Sequence, residues 1–264
     1  MVGIALAAAA EEAKQPNLTF SRWTKVCFTS ERTCTTSRDG RGDSGAMAVA
    51  AALIEPQGGK RILRVTLSLG MSIKPGTRVI IDQGQPLVAP YVNCVADGCT
   101  ADYEASNELI SKMRSGKGLV VQGINGSGQP VSLVVPLADF ANAYGGAPTV
   151  EQSDRNKPQA APVLTERDGL IFSPWTKFCL KGNEPNAKNV CFTGKDARIE
   201  SGMPVAAAVL IEPDGDPKKI FRVTLPLGMS IQPGTRAIID QGQALTAAYV
   251  ICFSNGCMAD YEVS

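Results

Sequence analysis

The chain has 264 residues, 44% hydrophobic and 19% charged, and its 26 basic and 25 acidic side chains leave a net charge of +1. That balance argues against a nucleic-acid footprint or an acidic interaction tail, and no apolar run of 18 residues is present to cross a membrane as a helix. Histidine is absent altogether, so acid–base and metal chemistry must do without imidazole.

In chain order, residues 1–17 read as the remnant of a signal peptide and its leader. Val2 to Ala10 is apolar and ends in Ala8-Ala9-Ala10, the small residues that favour cleavage before Glu11. Residues 18–145 read as a first β domain. Runs at 46–54, 61–69, 77–82 and 90–94 are short, apolar and bounded by turn residues, with Val65, Leu67 and Leu69 alternating with polar neighbours. The Ala-rich run 46–54 favours a helix by propensity alone, but its counterpart in the second half begins with Pro204 and β patterns surround both. A short helix is predicted near residues 106–115, with Ser106 as N-cap, one apolar face of Leu109, Ile110 and Met113, and Gly116 at the end. Gly118–Ile124 and Pro130–Leu137, separated by the turn-rich 125–129, form a β-hairpin. Residues 146–164 are polar and rich in Gly and Pro, a flexible linker. Residues 165–264 then form a second β domain.

The second domain repeats the first. Arg64 to Gln85 (RVTLSLGMSIKPGTRVIIDQGQ) returns as Arg222 to Gln243 (RVTLPLGMSIQPGTRAIIDQGQ), changed at three positions. Around it, Trp23-Thr24-Lys25 aligns with Trp175-Thr176-Lys177, and Ala101-Asp102-Tyr103-Glu104 with Ala259-Asp260-Tyr261-Glu262. A period near 155 residues is a duplicated domain and not a solenoid. Ser264 aligns with Ser106, so the helix and hairpin of copy one lack a partner. Copy two is expected to be C-terminally truncated, or else completed by another strand. The fold class is mainly β: two tandem antiparallel sandwich or barrel-like domains, the first carrying a short helix.

Eight cysteines fall four to each copy, a pattern suited to an oxidising, exported compartment. Their spacings do not form zinc pairs and no histidine assists, so no metal is expected. Two cysteine pairs enclose Asp97-Gly98 and Asn255-Gly256, tight-turn signals. Local bridges Cys27–Cys34, Cys94–Cys99, Cys179–Cys191 and Cys252–Cys257 are therefore expected. Early-to-late pairing within each copy is the alternative.

The order and spacing of Trp23, Cys27, Cys34, Leu67 to Gly76, Asp82, Gly84, Cys94 and Cys99 resemble the invasion-associated locus B family. The same set recurs at Trp175, Cys179, Cys191, Leu225 to Gly234, Asp240, Gly242, Cys252 and Cys257. Ser68 departs from the family's proline, which Pro226 supplies, and the tandem arrangement departs from a single-domain form. The resemblance implies an exported, β-rich periplasmic or envelope protein of alphaproteobacteria, associated in some pathogens with host-cell entry. It implies no known reaction and no catalytic residues.

The residues support the same reading. Carboxylates shared by both copies are Glu55/Glu212, Asp82/Asp240, Asp102/Asp260 and Glu104/Glu262. Asp82 fits an aspartate closing a turn through backbone N–H groups, and Asp102 with Glu104 flanks Tyr103 on an extended segment. No nucleophile elbow, P-loop or metalloprotease motif occurs, so no catalytic residue and no cofactor is expected. Polar residues without an evident folding role are the candidate contacts: Arg64, Arg78 and Gln83, with Arg222, Arg236 and Gln241. Arg41-Gly42-Asp43, on a Gly-rich loop of copy one only, is an adhesion-type tripeptide. The expected function is macromolecular binding to an unidentified protein or envelope component. The alternatives are an envelope-polymer enzyme using carboxylates and a purely structural or stress-related role.

Overall fold

The computed structural model describes residues 17–28, 30–148, 150–152, 169–182 and 187–263. The expected leader, apart from Asn17, and the linker from residue 153 onward lie outside the described residues. Copy one runs β1 (Thr19–Phe20), β2 (Thr24–Phe28), β3 (Thr33–Arg41), β4 (Met47–Pro56), β5 (Ile62–Leu67), β6 (Thr77–Ile81), β7 (Leu87–Ala89), β8 (Tyr91–Val95) and β9 (Gly98–Glu104). Helix α1 (Asn107–Ser115), β10 (Gly118–Ile124), β11 (Pro130–Pro136), helix α2 (Phe140–Gly145) and β12 (Val150–Gln152) follow. Copy two runs β13 (Ile171–Phe172), β14 (Thr176–Lys181), β15 (Asn189–Arg198), β16 (Pro204–Pro213), β17 (Lys219–Leu225), β18 (Thr235–Ala237), β19 (Leu245–Ala247), β20 (Tyr249–Phe253) and β21 (Gly256–Val263).

The protein is mainly β, and its sheets do not close into barrels. In copy one an eight-stranded sheet of order β12-β2-β3-β4-β5-β9-β8, with β1 paired to β3, accompanies a four-stranded sheet of order β11-β10-β6-β7. Residues facing between them form the core: Val49, Ala51, Leu53, Leu63, Val65 and Leu67 alternate inward from β4 and β5, and Val79, Leu119, Val121 and Val135 come from the smaller sheet. The Ala-rich run is strand β4, not helix, because every residue of Val49–Ile54 is paired to β5 and tertiary pairing overrides propensity. Helix α1 forms where expected. The Ser106 hydroxyl accepts the Leu109 N–H at 3.1 Å, and Leu109, Ile110 and Met113 are buried on one face.

Three features differ from the sequence reading. Part of the expected linker, Val150–Gln152, is strand β12, lying parallel to Val26–Phe28; three residues that complete a sheet edge carry no periodicity to be read. Helix α2 was not foreseen. It seats Phe140 edge-on against Trp23, centroids 4.9 Å apart. The Asp97-Gly98 pair is not the turn centre, since Val95 pairs with Gly98 across Ala96 and Asp97. Gly98 instead adopts φ +140° and passes beneath the Leu67 carbonyl, where a Cβ would lie 2.2 Å from the oxygen.

The copies pack on each other by a reciprocal arrangement. Gly70 and Ile73 donate backbone N–H groups to the carbonyls of Cys252 and Val250, both at 2.8 Å. Their counterparts Gly228 and Ile231 donate to Cys94 and Val92, at 2.8 and 3.0 Å. Ser72 pairs with Ile251 and Asn93 with Ser230. Each copy thus lays the loop after its β5-type strand along the β8-type edge of the other, the self-complementary geometry of a two-fold interface within one chain. One apolar cluster runs through it, containing Tyr91, Cys94, Cys99, Ile231, Tyr249, Cys252 and Cys257.

Candidate functional site

The duplicated string supplies the frame on which both candidate contact sets sit. In copy one, Lys74 to Gly76 forms the expected turn, with Gly76 at φ +68° and its Cα facing the Ala89 carbonyl closely enough that a Cβ would lie 2.6 Å away. The adjacent Thr77 hydroxyl meets the Tyr103 hydroxyl at 2.6 Å, and Thr235 with Tyr261 repeats the bond at 2.7 Å. These buried pairs join the small sheet to the large one at equivalent places in both copies.

The candidate contact residues divide by what they touch. Arg64 grips Asp102 with Nε and Nη2, both at 2.7 Å, and Arg222 grips Asp260 identically. Such bidentate pairs across neighbouring strands fix the β5–β9 register and its twin. Arg78 donates Nε–H to the Gln122 side-chain carbonyl at 2.8 Å. Its counterpart Arg236 is exposed and has no partner among the described residues, and Gln83 and Gln241 are exposed. The Lys74/Gln232 difference lies at the contact between copies, where the Gln232 amide donates to the Tyr91 carbonyl at 2.6 Å.

Asp82 closes no local turn with its side chain. At φ +51° it turns its carboxylate to the Lys117 and Gly118 N–H groups, both at 2.9 Å, and so ties the start of β10 to the end of β6. The Asp102–Glu104 pair splits: Asp102 is held by Arg64, and exposed Glu104 faces Lys60. In copy two Asp260 and Glu262 line one open depression of about 460 Å³ beside Tyr261 and Lys74. Arg222 and Lys218 neutralise that pair. A carboxylate acid–base pair needs one group kept protonated by burial or a like charge, and each of these faces a cation instead.

The Arg41-Gly42-Asp43 loop is the turn between β3 and β4. Arg41 is tied back to the Asp39 carboxylate at 2.7 Å and to the Gly45 carbonyl at 3.0 Å, and Arg198 with Asp196 repeats the ion pair in copy two. The arginine of the tripeptide therefore has a folding role present in both copies. Hydrogen bonding with Ser21, then with Arg41, holds the Asp39 carboxyl below the usual carboxylate range, and Ser173 and Arg198 do the same for Asp196. A carboxyl with a lowered folded-state pKa stabilises the fold above the ordinary value of about 4 and loses that contribution as pH falls through the folded value. Unfolding midpoints measured from pH 7 down to pH 3 should fall on acidification, and the double variant Asp39→Asn/Asp196→Asn should flatten that fall.

The four disulfides join Cys27 to Cys34, Cys94 to Cys99, Cys179 to Cys191 and Cys252 to Cys257. Cys94, Cys99 and Cys252 bring their sulfurs within 4.8 Å of one another where the copies meet. All are committed to S–S bonds and offer no thiolate to a metal. Among the described residues no helix is long and apolar enough to cross a membrane.

The helix and hairpin of copy one, which the sequence reading found without a partner in copy two, appear here as a contrast between the copies. Trp23 is 6% exposed and donates its indole N–H to the Pro136 carbonyl at 3.0 Å, whereas Trp175 is 58% exposed. Ile81 is 8% exposed and its twin Ile239 65%; Phe178, Leu180 and Ile238 are also bare. In copy one Trp23 lies against Phe140 of α2 and the Pro136 carbonyl, and Ile81 pairs with Leu119 of β10.

A family model described as invasion associated locus B (IalB) protein matches residues 23–148 and 175–264. Among solved structures, the crystal structure of invasion associated protein b from Bartonella henselae is similar at 20% identity, covering 48% of this chain and 93% of that one, with a TM-score of 0.42. No curated protein matches the chain.

Proposed function

The chain belongs to the invasion-associated locus B family, and from that premise we propose that it is a non-catalytic exported protein of the periplasm or cell envelope that works by binding another macromolecule. A role in host-cell entry is one use of such binding. The carrying observation is that the string shared by the copies exposes Gln83 and Gln241 at equivalent places, while the carboxylates Asp82, Asp102 and Asp260 are committed to backbone bonds or ion pairs. The four disulfides fit an oxidising compartment, and the ion pairs or backbone bonds of Asp82, Asp102, Glu104, Glu212, Asp260 and Glu262 favour binding over acid–base chemistry.

Affinity capture from cell envelopes with the full chain tests the reading. One or more envelope components should be retained, and the double variant Gln83→Ala/Gln241→Ala should lose them. Retention unaffected by both substitutions would remove these positions as the binding surface.

A further inference from the structure

We propose that copy one holds a small-molecule site on the outer face of its four-stranded sheet, one that takes a carboxylate with a compact apolar body. This goes beyond the macromolecular reading above and does not depend on it.

The site is a groove of about 300 Å³ that touches all four strands, β7, β6, β10 and β11. Its walls are apolar, formed by Pro75, Val88, Ile124, Pro130 and Val131, and Val88 is 70% exposed. Arg78 is the one charged residue among those that line it, and no carboxylate pairs with it among the described residues. Pockets for small ligands combine such walls with a few placed polar groups. A single unpaired cation in an apolar groove selects an anionic head on an apolar body.

The sheet holds this cation in place. Side chains alternate along β6, so Val79 enters the core and Arg78 stands on the opposite face. In register Arg78 lies between Gln122 of β10 and Val88 of β7, and Gln122 lies beside Ser132 of β11. A guanidinium only donates, so the bond from Arg78 Nε at 2.8 Å sets the Gln122 carbonyl oxygen towards the arginine. The Gln122 amide then donates to the Ser132 hydroxyl at 3.2 Å. These bonds grip the arginine by its Nε edge. They leave its terminal pair, Nη1 and Nη2, as the fork that matches the two oxygens of a carboxylate. Two other depressions lack this combination. Beside Leu109, a cavity of about 260 Å³ has Lys112 as its cation, already facing Glu108 at 2.7 Å. The depression at Lys74 is itself lined by the carboxylates of Asp260 and Glu262.

The probe is octanoate, titrated into the isotope-labelled full chain while backbone and side-chain amide resonances are followed. Saturable shifts are expected at the Gln122 side-chain amide and at Val88 and Val131. Octanol keeps the chain and loses the charge, acetate keeps the charge and loses the chain, and each should bind at least tenfold more weakly than octanoate. Arg78→Gln should weaken octanoate binding at least tenfold. Val88→Glu is the second variant, because it places a carboxylate beside the guanidinium in the register of β6 and β7. It should abolish binding, and it keeps the test open should Arg78→Gln disturb the fold. Equal binding of octanol would make the groove merely apolar, and equal binding of acetate would make it a bare anion contact; either result overturns the proposal. So do shifts centred on Leu109 instead of Gln122, unchanged affinity in both variants, or no saturation below the concentration at which octanoate itself aggregates.

Discussion

Trp23→Ala is expected to cost about 3–5 kcal/mol of unfolding free energy, whereas Trp175→Ala should cost less than about 0.5 kcal/mol. The two positions are equivalent in the repeat, and both residues precede Thr-Lys and a bridged cysteine. They differ in what lies above them. Trp23 fills a seat made by Phe140, with its N–H satisfied by the Pro136 carbonyl, so truncation there opens a cavity and leaves that carbonyl only its second donor, Arg38. Trp175 is 58% exposed, and an exposed ring returns little on truncation. Denaturant unfolding of the two single variants measures the contrast, and as these are the chain's two tryptophans, emission reports each site separately: blue-shifted from Trp23 and red-shifted from Trp175. Equal costs would mean that the copy-two face is covered in solution.

Gly98→Ala should destabilise by about 3 kcal/mol or more, and Gly256→Ala by a similar amount. At Gly98 the backbone has φ +140° and an added Cβ would sit 2.2 Å from the Leu67 carbonyl oxygen; at Gly256 φ is +132° and the distance to the Leu225 oxygen 2.3 Å. Neither obstacle is a side chain that can swing aside. Both carbonyls belong to strand ends paired with the buried cysteines 99 and 257, so any shift propagates into the core shared by the two copies. Gly42→Ala is the control, since a Cβ there meets nothing within 4 Å, and its unfolding midpoint should stay within about 0.5 kcal/mol of the parent's equivalent. A parent-like midpoint for Gly98→Ala would show that the β8–β9 hairpin slides past Leu67 without penalty.

Placed beside the structure, the sequence was most informative where the physics is local. Alternation of Val65 and Leu67 announces a strand with one buried face. Ser106 followed by Leu109, Ile110 and Met113 announces α1, because an N-cap and a helical apolar stripe are complete within one short segment. The turn at Lys74 to Gly76 is legible for the same reason: proline presets one dihedral and glycine supplies the positive φ. Local spacing likewise made bridges such as Cys94–Cys99 the simpler expectation.

Contacts set by distant chain segments could not be read this way. Asp82 looks like a turn aspartate, but its carboxylate serves amides 35 and 36 residues away. Arg64 and Arg222 look like free surface cations until the register of β5 on β9 and of β17 on β21 places a carboxylate opposite each. The Ile-Ile-Asp-Gln-Gly-Gln common to both copies does not by itself separate buried Ile81 from exposed Ile239, because burial depends on what packs above a residue and not on its neighbours in sequence. The sequence alone determined the β class, the duplication, the local cysteine spacing and the membership that its motif order suggested. Only the tertiary structure decided that the copies join through reciprocal backbone pairing, since that pairing arises from long-range packing that no short-range pattern encodes.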